Sequence, residues 1–399
     1  MAIMRFISIT RAFIRKLRRE NSSYDVNFSG PKFKITPNLK GEALETRTGF
    51  DLNDKSSFYH TEFDSLYNIY YGYTDSDEYH RGILYAEVHG IKTDITESIR
   101  RTYFHAGELK LKVEPLSYKL PRSLKEHGKC AIEFFKTLGR IKRKQNGWEN
   151  NESFRIVAIS TENNNIIGQK ASYFDQVATN LTLDWRSKKL PNRSLTIRNS
   201  IELPENGLLK TLHNSNLSNT LGVAVMLYNR ALEPFIRLRS SDLAAIPQKG
   251  LHCSASGVFE MDDGIKAGEY NYTAIERGIE REIALEIGLD RAEYNLYPVA
   301  FARELPRGGK PQVFFIALTK LNGTEVLEKS RNADESWEFS TDNILKEKEL
   351  AFQTIPEIDS LYEKFTYEGW ACLQFCEDFL EVNKTKLLLD LNQAKHQHL

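Results

Sequence analysis

The chain has 399 residues, 41% of them hydrophobic and 27% charged, and its 54 basic and 54 acidic side chains cancel. This composition can build ordinary globular cores, the length suits about two domains, and the charge balance removes any global electrostatic case for a nucleic-acid partner. Four scattered cysteines, Cys130, Cys253, Cys372 and Cys376, exclude a disulfide framework and are read as reduced thiols of a cytoplasmic protein.

Residues 1–20 carry Arg5, Arg11, Arg15, Lys16, Arg18 and Arg19 against one acid, Glu20, with Ile3, Phe6, Ile7, Phe13, Ile14 and Leu17 near helical period. The pattern predicts a basic amphipathic helix. Docking on its own chain or self-association into a homo-oligomer is the leading expectation, and contact with a membrane surface is the lesser one. The arginines interrupt any transmembrane span. No apolar run followed by a small-residue cleavage site marks a secretory signal.

Residues 21–60 are polar and weakly periodic, and residues 61–120 mix short apolar runs with polar breaks. The aromatic group around Tyr67, Tyr70, Tyr71 and Tyr73 is expected to pack within this region. The alternation Leu109-Lys110-Leu111-Lys112-Val113 predicts a half-buried strand. Residues 122–144 read as a helix that ends on the basic run 140–144, which would suit the negative end of a helix dipole. Asn146-Gly147 then marks a turn. A boundary near residue 150 closes an α+β unit of unidentified type over residues 21–150.

Residues 154–160 predict a strand and 161–165 a loop, followed by a polar, strand-poor stretch to about Asn219. Residues 151–217 are therefore expected to be a partly β connecting extension. From 218 to 399 the signal sharpens. Residues 221–228 form a buried-type strand, 229–233 a turn and 234–239 a second, alternating strand. Residues 274–287 predict a helix closed by Gly288. Residues 297–303 and 312–319 are strands joined by a Gly308-Gly309 hairpin, and residues 358–383 form a last helix. Arg307 and Lys310 in that hairpin are read as solvated basics, with phosphate steering as the alternative. His252-Cys253 reads as a loop or core pair. The fold class is α/β, with a mixed sheet and helices packed on it.

Within the predicted helix, Arg281-Glu282-Ile283-Ala284-Leu285-Glu286-Ile287-Gly288-Leu289 sets Glu282 and Glu286 four residues apart on one face. Like charges at that spacing weaken an isolated helix, which suits a pair kept for a cation. The stretch resembles the second half of the Nudix hydrolase motif. Ser256-Gly257-Val258-Phe259-Glu260 is similar to the start of that family's glycine loop, and Gly268-Glu269 to its close. Asp334-Glu335-Ser336-Trp337 resembles a family segment at the end of the sheet. The resemblance covers about residues 218–385 and implies a Nudix-like α/β/α sandwich.

Strict motif spacing places Ala267 and Thr273 where the family has Gly and Glu, and Leu285 stands where it has a glutamate. What the resemblance implies is Mg²⁺- or Mn²⁺-dependent hydrolysis of a nucleoside diphosphate linked to another group. Glu282, Glu286, Arg281 and Glu269 would be catalytic, and Glu282, Glu286 and Glu335 the metal ligands. Arg237, Arg239, Gly257 and Glu260 would contact a nucleotide-derived substrate. The other class is a degenerate, nucleotide-sensing or scaffolding Nudix-like protein, which Leu285 favours.

Overall fold

The computed structural model describes residues 66–137, 141, 143–144, 147–185, 196–239, 250–267, 270–335 and 364–393, and the short strands 24–26 and 33–35; for those two strands and for 137, 144 and 265–267 it describes the backbone alone. The expected helix over residues 1–20 lies outside the described residues.

A six-stranded mixed sheet organises the molecule. Its strands are β3 (Tyr85–Lys92), β4 (Tyr103–His105), β10 (Gly222–Tyr228), β13 (Ala255–Val258), β14 (Tyr294–Glu304) and β15 (Lys310–Thr319), in the order β13-β10-β15-β14-β3-β4. The numbering leaves β1 and β2 for Tyr24–Val26 and Phe33–Ile35. β10 and β15 run parallel, as do β3 and β4, and the remaining neighbours are antiparallel.

β10 and β15 are buried along their whole length. Val223, Val225, Leu227, Val313, Phe315 and Ala317 face one core, and Ala224, Met226, Tyr228, Phe314, Ile316 and Leu318 face another. Apolar residues on both sides are what a sheet covered on both faces demands. The class is thus α/β with a mixed sheet.

Among the described residues the α-helices include α1 (Asp77–His80), α2 (Lys125–Thr137), α3 (Tyr173–Val177), α4 (Met261–Ala267), α5 (Tyr272–Ile287), α6 (Gly323–Arg331) and α7 (Tyr367–Gln393). α5 buries Ala274, Ile275, Ile279, Ile283 and Ile287, three and four residues apart, against the first core. It starts where the Asn271 side chain accepts the Thr273 N–H and stops at Gly288, whose φ of 73° is left-handed. α7 covers the opposite face with Cys372, Phe375, Cys376 and Phe379.

β3 and β4 come from before residue 150, and β3 pairs with β14 through Ala300↔Gly90, Phe301↔His89, Arg303↔Ala86 and Glu304↔Tyr85. The main sheet therefore draws strands from both sides of the expected boundary. A second, three-stranded sheet, β5-β9-β8, joins Lys110–Val113, Asn165–Ser172 and Glu152–Ser160. Its Leu111, Phe154, Ile156 and Ile166 enter the same core as α5.

Several sequence expectations change. β9 lies in a stretch expected to be strand-poor. The helix expected over 122–144 is α2, Lys125–Thr137. Arg143–Lys144 instead form β6 and pair with Gly147–Trp148, β7; Asn146 of the expected turn lies outside the described residues. The second strand of 234–239 shortens to β11 (Arg237–Leu238), paired with β12 (Leu251–His252). The last helix begins at Tyr367, not 358, and runs to Gln393, because Leu387 and Leu391 continue its buried stripe. α4 and α6 were not expected as helices.

Candidate functional site

α5 lays Glu282 and Glu286 against β13, and both are buried, at 6% and 1% exposure. Two features of β13 receive them. The Ser256 N–H donates to Glu286 Oε1 at 3.1 Å. Gly257 lies under the Glu282 carboxylate, where a Cβ would come within 1.9 Å of Oε1. Glycine at 257 is thus what lets a charged side chain sit on the strand.

Arg281 is the hub of the site. Its Nη1 donates to Glu282 Oε1 at 2.7 Å, and its Nε and Nη2 donate to Asp263 Oδ1 and Oδ2 at 3.0 and 3.2 Å. Nη2 also donates to the Val258 carbonyl at 2.9 Å, and Glu260 lies 3.9 Å from Nη1. Burial works against the guanidinium charge, but Glu282, Asp263 and Glu260 outweigh it and hold Arg281 firmly protonated. The fork also binds α4 to α5 and to the end of β13.

Asp263 is the partner that the sequence did not single out. It sits on α4, eighteen residues before Arg281, on a helix that the sequence pattern did not announce. Its Oδ2 also accepts the Glu260 N–H at 2.9 Å. Glu260 in turn accepts from Asn151 Nδ2 at 2.8 Å.

The other expected residues disperse. Arg237 donates from Nη1 to the Glu286 carbonyl at 2.7 Å, a cation placed at the negative end of α5. Glu335 reaches α5 through its backbone N–H, 2.8 Å from the Leu285 carbonyl. Glu269, Ser336 and Trp337 lie outside the described residues.

Arg239 belongs to a second cluster on the α7 side of the sheet. Its Nη1 lies 3.1 Å from His252 Nε2 and 4.0 Å from Glu368. Arginine can only donate, so Nε2 accepts and Nδ1 carries the proton, donated to Thr366 Oγ1 at 2.6 Å. Burial and then Arg239 push the His252 pKa down to about 3, so the ring is neutral.

His252, Cys253 and Glu368 place ligand-type atoms within 4.8 Å of one another, all buried. Arg239 already occupies the His252 lone pair, and Arg307 and Lys310 add their fields to this corner. A cation there would meet three positive neighbours, so the donor set does not fit one.

Lys310 and Arg307, expected in solvent, are buried. Lys310 lies directly opposite Glu304 on β14, and Glu304 lies opposite Tyr85 on β3. Arg307 Nε approaches Glu304 Oε1 at 3.3 Å, and Gln312 Nε2 donates to Glu368 Oε1 at 2.6 Å.

No protein-family model matches the chain. No curated protein matches it in sequence. Among solved structures, the DR0079 protein of Deinococcus radiodurans is similar over 26% of this chain and 57% of its own, at 16% identity and a TM-score of 0.21. The match thus spans a little over half the length of that protein. Among the described residues, no helix is long and apolar enough to cross a membrane.

Proposed function

We propose that residues 218–393 are a Nudix-like domain that has kept the motif's arginine and two glutamates for structure, and that the chain binds a nucleotide or scaffolds a partner without cleaving a phosphoanhydride. The observation that carries this reading is the burial of Glu282 and Glu286. Glu282 is held by Arg281 in the niche over Gly257, and Glu286 holds the Ser256 N–H. A catalytic Mg²⁺ keeps several waters and coordinates through one or two carboxylates facing solvent. Carboxylates this enclosed do not fit such a hydrated ion. Leu285, where the family has a glutamate, points the same way. Nucleotide as the ligand class comes from the motif resemblance.

One observation favours the hydrolase reading. Four carboxylates, Glu260, Asp263, Glu282 and Glu286, gather around Arg281 and Arg237, an excess of negative charge that a divalent cation could balance. Turnover of ADP-ribose, NAD, dinucleoside polyphosphates and nucleoside triphosphates with Mg²⁺ or Mn²⁺ separates the two. The non-hydrolytic reading expects no turnover and nucleotide binding indifferent to the metal. Metal-dependent turnover that Glu286→Gln abolishes would establish the hydrolase instead.

A further inference from the structure

We infer that the buried cluster over Gly222, beneath the first turn of α7, binds a small oxyanion of the phosphate type. The floor is built by sheet register. Lys310, Glu304 and Tyr85 form a row across β15, β14 and β3. Gln312 and Gly222 form part of the next row. A Cβ on Gly222 would lie 2.4 Å from Lys310 Nζ and 2.7 Å from Gln312 Oε1, so both polar ends converge over this glycine. Glu368, in the first turn of α7, joins the cluster through its bond from Gln312. Thr366 caps the helix by accepting the Gly369 N–H at 2.9 Å. The positive end of a 27-residue helix therefore bears on the same place.

The second observation is a set of unused polar atoms. Lys310 is 2% exposed, and its Nζ lies with Gln312 Oε1 over Gly222. Tyr85 Oη and Arg239 Nε are buried donors without an acceptor, and Gln312 Oε1 is a buried acceptor without a donor. Buried polar groups of this kind are costly unless something bonds them. Arg239, Arg307 and Lys310 stand against Glu304 and Glu368, three cations to two carboxylates, which leaves one positive charge. A monoanion that accepts from Lys310, Tyr85 and Arg239 answers the charge and the donors. A hydroxyl on the same ion answers Gln312. Dihydrogen phosphate, or a phosphomonoester in its monoanionic form, has both features, and acetate lacks the hydroxyl. The inference does not depend on how the glutamates of α5 are read.

The test is thermal unfolding of the full chain in rising inorganic phosphate at constant ionic strength, with acetate and AMP as parallel arms. We expect a saturable rise in Tm of about 2–5 °C with phosphate and none with acetate. Lys310→Met should abolish the response while keeping a phosphate-free Tm at or above wild type, because it relieves the desolvation of a buried cation. Tyr85→Phe should raise the half-saturating phosphate concentration about tenfold, and it carries the test should Lys310→Met fail to fold. A rise with AMP alone supports the site and assigns it to a phosphomonoester. No saturable response to either, an equal response to acetate, or a response unchanged in both variants would overturn the inference and leave the cluster as one bridged by water.

Discussion

The Glu282 carboxylate occupies the volume that a side chain at Gly257 would fill, with 1.9 Å between Oε1 and the position of the missing Cβ. Helix and strand are matched at this point by the absence of a methyl group. Gly257→Ala must push Glu282 off β13 and disturb its bond with Arg281. Urea denaturation should show a loss of about 1–3 kcal/mol, the range of a buried overpacking. An unchanged midpoint would mean that the carboxylate moves freely and does not anchor α5.

Arg281 neutralises carboxylates that are largely withdrawn from water. Replacing it with Met keeps much of its apolar stem but leaves Asp263 and Glu282 facing each other in the interior. The expected cost is about 3–5 kcal/mol. A double-mutant cycle with Asp263→Asn should return a coupling of about 1–3 kcal/mol between residues 263 and 281. Additive effects would show that the fork seen at 3.0 and 3.2 Å contributes nothing in solution.

Leu285 stands where the motif has a glutamate beside Glu286. Leu285→Glu restores the missing carboxylate. If the glutamates are structural, this variant gains no Mg²⁺-dependent turnover of any nucleotide, because Glu282 and Glu286 remain enclosed. Measurable turnover in the variant but not in wild type would mean that one lost side chain, rather than burial, separates this chain from catalysis.

His127 sets an acid limit on stability. It is fully buried, its Nε2 lies 3.0 Å from Thr182 Oγ1, and burial pushes its pKa from 6.5 down to about 3. The unfolded chain takes up this proton first, so the contribution of His127 is complete above pH 6.5 and is lost as pH falls from 6.5 toward 3. The slope is about 1.4 kcal/mol per pH unit. Denaturation measured at pH 6.5 and pH 5 should differ by roughly 2 kcal/mol more in wild type than in His127→Gln. Equal pH dependence of the two proteins would show that the imidazole is already wet.

Much of the sheet was legible because its strands are long and apolar. Residues 221–228 read as a buried strand and 312–319 as a strand, and β10 and β15 are those strands. β9 was not legible. Asn165, Gly168, Gln169 and Lys170 dilute its pattern, and Ile166 alone carries it into the core beside α5. The pairing of Glu282 with Glu286 on one helix face followed from spacing. Their burial did not, since it depends on a glycine of β13 on the far side of α4 and on α4 itself, which the sequence did not announce. Lys310 misled for a related reason. A basic residue beside Gly-Gly suggests a solvated hairpin tip, but residue 310 is already in the sheet, opposite Glu304. The joining of residues 85–105 to the main sheet has no local signature, because strand pairing over some two hundred residues leaves no mark in either segment.

That long-range pairing bears on how the chain can be cut. β14 holds β15 on one side and β3 on the other. A fragment beginning at residue 218 would strip β3 away and bare the backbone N–H and C=O groups of the Ala300–Glu304 end of β14, which β3 now faces. Such an edge is a template for pairing with a second chain. The smallest piece that keeps β14 covered begins before Tyr85, so the two halves of the sequence are, for purposes of solubility, one object.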